Sequence, residues 1–213
     1  MKKLLTILVL IMLIISLFQI ASMYALYKSQ LHGEYTDLLG VWAIKVNGVD
    51  ISSGEENLTF TMTEDNLTYI DSSHVKSQKM APGTQACFEI VIDPTNTDVS
   101  ILSTLDIKLD DVTTAKMKLV KVENYFQKAG TTEKVTNSDV NTNTVLHKHK
   151  SIIPIGKIND KYLNHIKLYF EWENVEENNA TDSELGQTEN AKISIPLKIN
   201  LKQYTGEVIS NET

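Results

Sequence analysis

The chain has 213 residues and a formal net charge of −7, from 27 acidic side chains against 20 lysines and no arginine. This acidic balance argues against a nucleic-acid-binding protein, because nothing in the chain would neutralise a row of phosphates. It argues equally against charge-driven binding to an anionic lipid surface. The single cysteine, Cys87, excludes an intramolecular disulfide, so stability has to come from packing.

The first 27 residues have the pattern of an export signal. Lys2 and Lys3 precede a mostly apolar stretch that carries no charge until Lys28. Basic residues hold the start of such a segment in the cytoplasm while the apolar stretch enters the lipid. Because no clean A-x-A cleavage site is present, two alternatives stay open. The segment is either a signal peptide over residues 1–27, removed by a signal peptidase, or a membrane anchor that crosses the lipid through residues 4–27.

Residues 28–40 connect this segment to the rest of the chain and contain three leucines and a tyrosine. This composition predicts either a linker or a donor strand, which would add to the sheet edge of a neighbouring copy by main-chain pairing. Residues 41–213 are predicted to form one β-sandwich domain.

The rest of the chain is predicted to consist almost entirely of strands. Asn47-Gly48 follows an alternating segment and favours a two-residue hairpin, because both residues accept a positive φ angle. Pro82-Gly83 predicts a second sharp reversal. Elsewhere apolar and polar residues alternate, which is the period of a strand with one buried face. The alternating segments are 42–46, 58–62, 88–92, 99–109, 117–125, 166–172 and 193–201.

Some segments fit this pattern less well. Pro196 cannot donate to a ladder, so its strand is predicted to lie at an edge or to carry a bulge. The period is blurred in 117–125, where apolar residues lie next to each other. Residues 127–151 and 173–190 are predicted to be long loops. No segment after residue 40 shows a sustained helical period, and seven to nine short strands predict an all-β antiparallel sandwich.

Several short blocks occur in a characteristic order. They are ALYK at 25–28, VWAIKVNGVDI at 41–51, MAPGTQACFEIVID at 80–93, EWEN at 171–174 and ISIPLKINLKQY at 193–204. In this order they resemble the TasA/camelysin family of exported Gram-positive proteins. The resemblance implies a jelly-roll sandwich at the cell surface or in an extracellular matrix, and a dedicated signal peptidase. For some members it implies fibres, in which a segment near the mature N-terminus fills a groove of the next subunit.

The chain departs from the family pattern at two places. Cys87 lies where the family has a small polar residue, and the cleavage region is atypical. Cys87 is predicted to be a structural thiol, because the neighbouring Glu89 raises the pKa of a thiol and makes it less reactive. Trp42 and Trp172 are predicted to fill the core, with ligand stacking as the alternative.

A zinc site has to be considered because camelysin is described as a metalloendopeptidase. No H-E-x-x-H motif is present. His147 and His149 are the zinc candidates, since they flank one residue and would share a strand face; two solvated histidines are the alternative. No catalytic residue and no cofactor is predicted, because neither a third ligand nor a nucleophile motif is found.

The acidic stretch at 173–190 contains oxygen ligands of the kind that calcium prefers. The candidate ligands are Glu173, Glu176, Glu177, Asp182 and Glu184. The spacing of a calcium-binding loop is missing, and solvated acidic side chains are the alternative.

The sequence therefore predicts a secreted or cell-surface protein that is a structural component of a matrix or biofilm. Its expected partners are copies of itself or related matrix proteins, and it would stay membrane-anchored if the first segment is retained. The alternatives are a camelysin-like cell-surface metalloendopeptidase and a membrane-anchored surface binding module.

Overall fold

The computed structural model describes residues 40–52, 54–61, 67–69, 75–76, 79–111, 115–188 and 192–209. The predicted signal or anchor at 1–27 lies outside these residues, as does all but the last residue of the predicted linker or donor strand at 28–40. Within the described ranges, no helix is both long enough and apolar enough to cross a membrane.

Twelve strands in the described residues form two antiparallel sheets. The seven-stranded sheet contains β1 (Lys45–Val46), β2 (Val49–Asp50), β4 (Leu67–Tyr69), β5 (Gln85–Asp93), β7 (Met117–Lys128), β8 (Lys134–Thr136) and β11 (Tyr162–Trp172). The five-stranded sheet contains β3 (Glu55–Thr61), β6 (Ile101–Ile107), β9 (Val140–Asn143), β10 (Lys148–Ile153) and β12 (Ser194–Gln203). The prediction of an all-β sandwich is confirmed, although the predicted number of strands was too low.

The strand order brings distant parts of the chain together. The larger sheet runs β2-β1-β5-β11-β7-β8, and β4 pairs with β5 beyond the end of β1. The smaller sheet runs β3-β12-β6-β10-β9. Successive long strands therefore alternate between the two sheets, and most neighbours within a sheet are far apart in sequence.

The core lies between the sheets and is built from alternate residues of the long strands. Ile90 of β5, Ile166 and Phe170 of β11 and Ile199 of β12 are almost completely buried. Burying one such side chain contributes about 1.5–3 kcal/mol. Trp172 is buried with them, and Trp42 packs partly buried against the core, as predicted.

Two predicted turns are present. Asn47 and Gly48 have φ angles of 48° and 81° and join β1 to β2, which is the geometry of a two-residue hairpin. Gly83 has a φ angle of 82°, and the N–H of Thr84 donates to the carbonyl oxygen of Ala81 at 3.0 Å. Both turns could be predicted from their dipeptides, because few residues other than glycine and asparagine adopt positive φ angles readily.

The blurred period in 117–125 results from a β-bulge. The register between β7 and β11 shifts between Tyr169 and Phe170, which leaves Val120 as an extra residue. Before Val120 the odd-numbered positions such as Met117 are buried, and after it the even-numbered positions such as Phe126 are buried. The bulge therefore shifts the buried positions from odd-numbered to even-numbered residues within one strand.

The prediction that Pro196 marks an edge strand or a bulge is wrong. β12 lies between β3 and β6, and its register with each is regular. The carbonyl oxygen of Pro196 accepts from the N–H of Lys108, just past the end of β6. The nitrogen and the carbonyl oxygen of a strand residue point to the same side, so the nitrogen of Pro196, which carries no hydrogen, also faces the β6 side. Pairing with β6 has ended at this position, so no hydrogen bond between β12 and β6 is lost.

Both predicted long loops contain regular structure. Residues 127–151 include the end of β7, the short strands β8 and β9, and the start of β10. Residues 173–190 include a 3-10 turn at Glu176–Asn178 and a helix at Asn179–Gln187, here called α2. A shorter helix, α1 (Ile155–Asn159), precedes β11. The sequence shows no apolar periodicity in these elements, because the side chains of β8 are exposed and because α2 buries only Asp182.

Replacing Gly48 with alanine is expected to lower the free energy of unfolding by about 1–2 kcal/mol, because a Cβ is strained in the left-handed region. No atom lies within 4 Å of a Cβ at Gly48, so the backbone alone accounts for the loss. Gly156→Ala in α1 is the matched control, since its Cβ also meets nothing within 4 Å. That control should stabilise by about 0.4–1 kcal/mol. Urea denaturation measures both, and equal effects would contradict the strain.

Candidate functional site

The two zinc candidates, His147 and His149, do not share a strand face. His147 lies in the turn before β10, with a φ angle of 53°, and its carbonyl oxygen accepts from the N–H of Ile107. His149 lies within β10 and points between the sheets, where it is 1% exposed. The positive φ angle at His147 breaks the alternation that the sequence pattern assumed.

His149 belongs to a polar group between the sheets that we call the inner cluster. Its members come from five strands and one connection: Ser103, Asn124, Asn137, Thr142, His149, Ser151 and Asn164. Asn124 on β7 is central, because it contacts both sheets. Its Nδ2 lies 2.9 Å from Nε2 of His149, and its Oδ1 accepts from Nδ2 of Asn164 at 2.5 Å.

The hydrogen bonds of the inner cluster fix one tautomer of His149. The Asn124 amide donates to Nε2, so the ring proton lies on Nδ1, which is 2.7 Å from Oγ1 of Thr142 on the edge strand β9. Burial lowers the pKa of His149 to about 4. The imidazole is therefore neutral at pH 7 and has both nitrogens engaged by protein groups, which leaves neither for a metal.

The calcium candidates are not brought together. Asp182 is buried at 9% exposure and accepts a hydrogen bond from Nε1 of Trp172 at 3.0 Å. Glu176, Glu177 and Glu184 are exposed on the turn and on α2, and Glu173 is partly exposed beyond β11. Within the described ranges, no group of three or more His, Cys, Asp or Glu side chains is arranged to hold a metal ion. Asp182 instead attaches α2 to the sheet.

Asp182→Ala is expected to lower the free energy of unfolding by about 1–3 kcal/mol, because the buried indole N–H of Trp172 loses its acceptor. Glu184→Ala is the control on the same helix, and as an exposed change it should stay within about 0.5 kcal/mol. Denaturation followed by tryptophan fluorescence measures both variants. Equal effects of the two substitutions would show that the contact does not hold α2 in place.

A second polar group covers the outer face of the seven-stranded sheet, and we call it the outer cluster. It consists of Glu89, Lys121, Glu123, Tyr125, His165, Lys167 and Tyr169. Oε1 of Glu89 accepts from the hydroxyl of Tyr125 at 2.6 Å and lies 2.9 Å from Nδ1 of His165. The Tyr125 and His165 rings stack with centroids 5.0 Å apart. Three strands thus contribute to one bonded unit.

The other half of the outer cluster repeats this pairing of tyrosine with glutamate. The hydroxyl of Tyr169 donates to Oε2 of Glu123 at 2.7 Å, and Nζ of Lys121 lies 2.5 Å from Oε1 of the same carboxylate. Lys121 also lies 5.3 Å from the centre of the Tyr169 ring, within reach of a cation–π interaction. Burial and then the bonds to glutamate raise the pKa of both Tyr125 and Tyr169.

The charges of the outer cluster are held in defined states. Burial raises the pKa of Glu89, but the hydrogen bonds from Tyr125 and His165 outweigh it, so the net shift is downward. The bonds from Lys121 and then Tyr169 lower the pKa of Glu123. Both carboxylates are ionised at neutral pH. The arrangement presents aromatic rings, carboxylates and ammonium groups on one face of the sheet, which suits ligand binding by stacking and hydrogen bonding.

Sequence reasoning missed the outer cluster. In the alternating segments 88–92 and 166–172, Glu89, Lys167 and Tyr169 fall opposite the apolar face, but the partners of these residues lie on strands distant in sequence. Glu89 and Tyr125 are 36 residues apart, and Glu89 and His165 are 76 apart. Only the register of β5, β11 and β7 brings them together.

Cys87 lies on the same face of β5 and is buried. Burial raises the pKa of its thiol, and the carboxylate of Glu89 adds to this shift, the direction expected from the sequence. A protonated thiol is a weak nucleophile. The position therefore suits a packed side chain.

No protein-family model and no curated protein matches this chain. Among solved structures, the collagen-binding domain of the Erysipelothrix rhusiopathiae surface protein RspB is similar over 71% of this chain, with 11% sequence identity and a TM-score of 0.36. The match spans 53% of that chain, about half of its length. A likeness at this level does not bear on function.

Proposed function

We propose that this chain is an exported structural protein of the cell surface or extracellular matrix, whose copies associate through strand edges. The proposal combines the export pattern at the N-terminus, the resemblance to the TasA/camelysin family and the open edges of the sandwich. The observation that carries it is a side of the domain where both sheets end in strands that pair on one side only among the described residues.

We further propose that the sandwich is a jelly roll. The strand order supports this, because β3, β12, β6 and β10 lie side by side in one sheet while β5, β11, β7 and β8 do so in the other. Successive strands that cross between two such sheets form the two Greek keys of a jelly roll. This topology is the one implied by the family resemblance.

This side of the domain, which we call the open side, consists of residues 134–146. β8 is the last strand of the seven-stranded sheet and β9 is the last strand of the five-stranded sheet. Only three residues, 137–139, connect them, so the two sheet edges are neighbours. Within the described residues, each of these strands pairs on one side only.

The backbone of β9 is oriented for pairing with another chain. The carbonyl oxygen of Asp139 accepts from the N–H of Ile152, so Asp139 faces β10. Successive residues of a strand direct their backbone groups to opposite sides, and the N–H and C=O groups of Val140 and Thr142 therefore point away from β10. Such a row of backbone groups is a template for an added strand.

The side chains of the open side favour protein contact. Four of its residues are exposed and apolar, with Val145 83% exposed: Val135, Val140, Val145 and Leu146. Lys134 at the start of β8 and Asp139 are its two charged residues, and none lies between Val140 and Leu146. Exposed edges are usually protected by charged residues or proline, and apolar side chains exposed together mark interaction sites.

Val140→Lys combined with Val145→Lys is expected to raise the concentration needed for assembly of the mature protein by at least about tenfold, equivalent to about 1.4 kcal/mol per contact. The two ammonium groups would have to be desolvated in an edge-to-edge contact. Val49→Lys on β2 is the matched control, because Val49 is 56% exposed but lies at the opposite edge. Electron microscopy and sedimentation measure assembly.

Three outcomes of these measurements would count against the proposal. Dispersed monomers of the unsubstituted protein at high concentration would contradict assembly itself. An equal effect of Val49→Lys would place the contact elsewhere. Zinc in the purified protein together with chelator-sensitive cleavage of casein would instead support the peptidase alternative.

The outer cluster favours one second candidate, a surface binding module. Its aromatic and charged side chains lie together on the outer face of the larger sheet. Tyr125→Phe removes the hydroxyl that donates to Glu89 and keeps the aromatic ring. If the chain is a binding module, this variant should lose affinity for its ligand, while assembly through the open side should stay unchanged.

A further inference from the structure

Two serine hydroxyls are buried side by side in the five-stranded sheet. Ser103 on β6 lies directly opposite Ser151 on β10, and both residues are completely buried. Neither Oγ atom has a hydrogen-bond partner among the described residues. Buried hydroxyl groups are nearly always hydrogen-bonded, so this pair requires an explanation.

A third unpaired group comes from the other sheet. Oδ1 of Asn164 on β11 is buried and has no partner among the described residues. The Nδ2 of the same side chain donates to Asn124, which in turn reaches His149 on β10. His149 is two residues from Ser151 on the same strand face, so a chain of side-chain contacts links Asn164 to the strand that carries Ser151.

The neighbouring polar groups are already engaged. Both nitrogens of His149 have partners, and Oδ1 of Asn124 accepts from Asn164. Within the inner cluster, the two serine hydroxyls and Oδ1 of Asn164 are therefore the described side-chain groups that lack a hydrogen-bond partner. They comprise two hydroxyls, which donate and accept, and one oxygen that only accepts.

We propose that Ser103, Ser151 and Asn164 bind one internal water molecule between the sheets. Opposed residues of an antiparallel pair have Cβ atoms about 4.5–5.5 Å apart, a span that two hydrogen bonds through one oxygen can bridge. The water donates to Oδ1 of Asn164 and to one serine and accepts from the other serine. These three bonds are the number that a buried water typically makes.

Oxygen-17 magnetic relaxation dispersion of the full protein in enriched water tests the proposal, because it counts water molecules that exchange slowly. Ser151→Val removes one hydroxyl and fills the space with a methyl group, so it should lose one long-lived water. Ser183→Val is the control, since Ser183 is exposed on α2 and donates to the carbonyl oxygen of Asn179. The control should keep the count of the unsubstituted protein, and an unchanged count in Ser151→Val would overturn the proposal.

A crystal structure of the unsubstituted protein decides the question if Ser151→Val does not fold. A water peak within about 2.6–3.2 Å of both serine oxygens is expected. Hydroxyls bonded directly to each other or to backbone oxygens, with no peak between them, would overturn the proposal.

Discussion

Lowering the pH from about 7 to about 4 is expected to remove about 3 kcal/mol of stability through His149 alone. Burial lowers the pKa of His149 to about 4 in the folded protein, against 6.5 for an exposed imidazole. Between these values the unfolded chain binds a proton that the folded chain does not. The contribution is therefore complete above pH 6.5, falls as the pH drops towards 4, and stays lost below that.

His149→Gln isolates this effect, because the amide does not titrate while the carboxylates of the chain titrate in both proteins. Urea denaturation at several pH values should give the variant a weaker pH dependence than the unsubstituted protein, by about 3 kcal/mol over this range. His147→Asn is the control, since asparagine tolerates the positive φ angle of this turn. Its pH dependence should be unchanged. Parallel curves for all three proteins would show that His149 is not buried in its neutral form.

Asn124→Ala is expected to lower the free energy of unfolding by about 3–5 kcal/mol. The substitution removes the donor to His149 and the acceptor of Asn164 at once, and it leaves a cavity between the sheets. Each buried polar group left without a partner costs about 1–3 kcal/mol. Chemical denaturation at pH 7 measures the loss.

Two further variants define the cause of this loss. Asn159→Ala is the control, because Asn159 is exposed at the end of α1 and its change should stay within about 0.5 kcal/mol. Asn124→Asp keeps an acceptor for Asn164 but offers His149 a carboxylate, so it should raise the pKa of that imidazole. Nuclear magnetic resonance titration of the histidine measures this shift. An unchanged pKa would contradict the contact between positions 124 and 149.

The parts of the fold that follow from local pattern were predicted well. Alternation in 88–92, 166–172 and 193–201 identifies strands with one buried face, because side-chain direction in a strand depends only on the position of each residue. Asn47-Gly48 identifies a hairpin for an equally local reason. Local structure that depends only on residues close together in the chain can therefore be predicted from the sequence.

The features that were missed depend on partners distant in sequence. Val120 is an extra residue only relative to β11, and Tyr125 meets Glu89 only through the sheet register. The inner cluster was missed for a related reason, since Asn124 and Asn164 occupy inward positions that the pattern expects to be apolar. They are tolerated there because they bond to each other across neighbouring strands.

The order in which the chain is synthesised has a consequence for how the smaller sheet forms. β3 pairs with β12 alone among the described strands, and roughly 130 residues separate the two. A contact between such distant segments raises the mean sequence separation of native pairs, which slows folding. Among the described strands β3 therefore has no partner until β12 has been synthesised, and the growing polypeptide exposes the backbone groups of β3 until then.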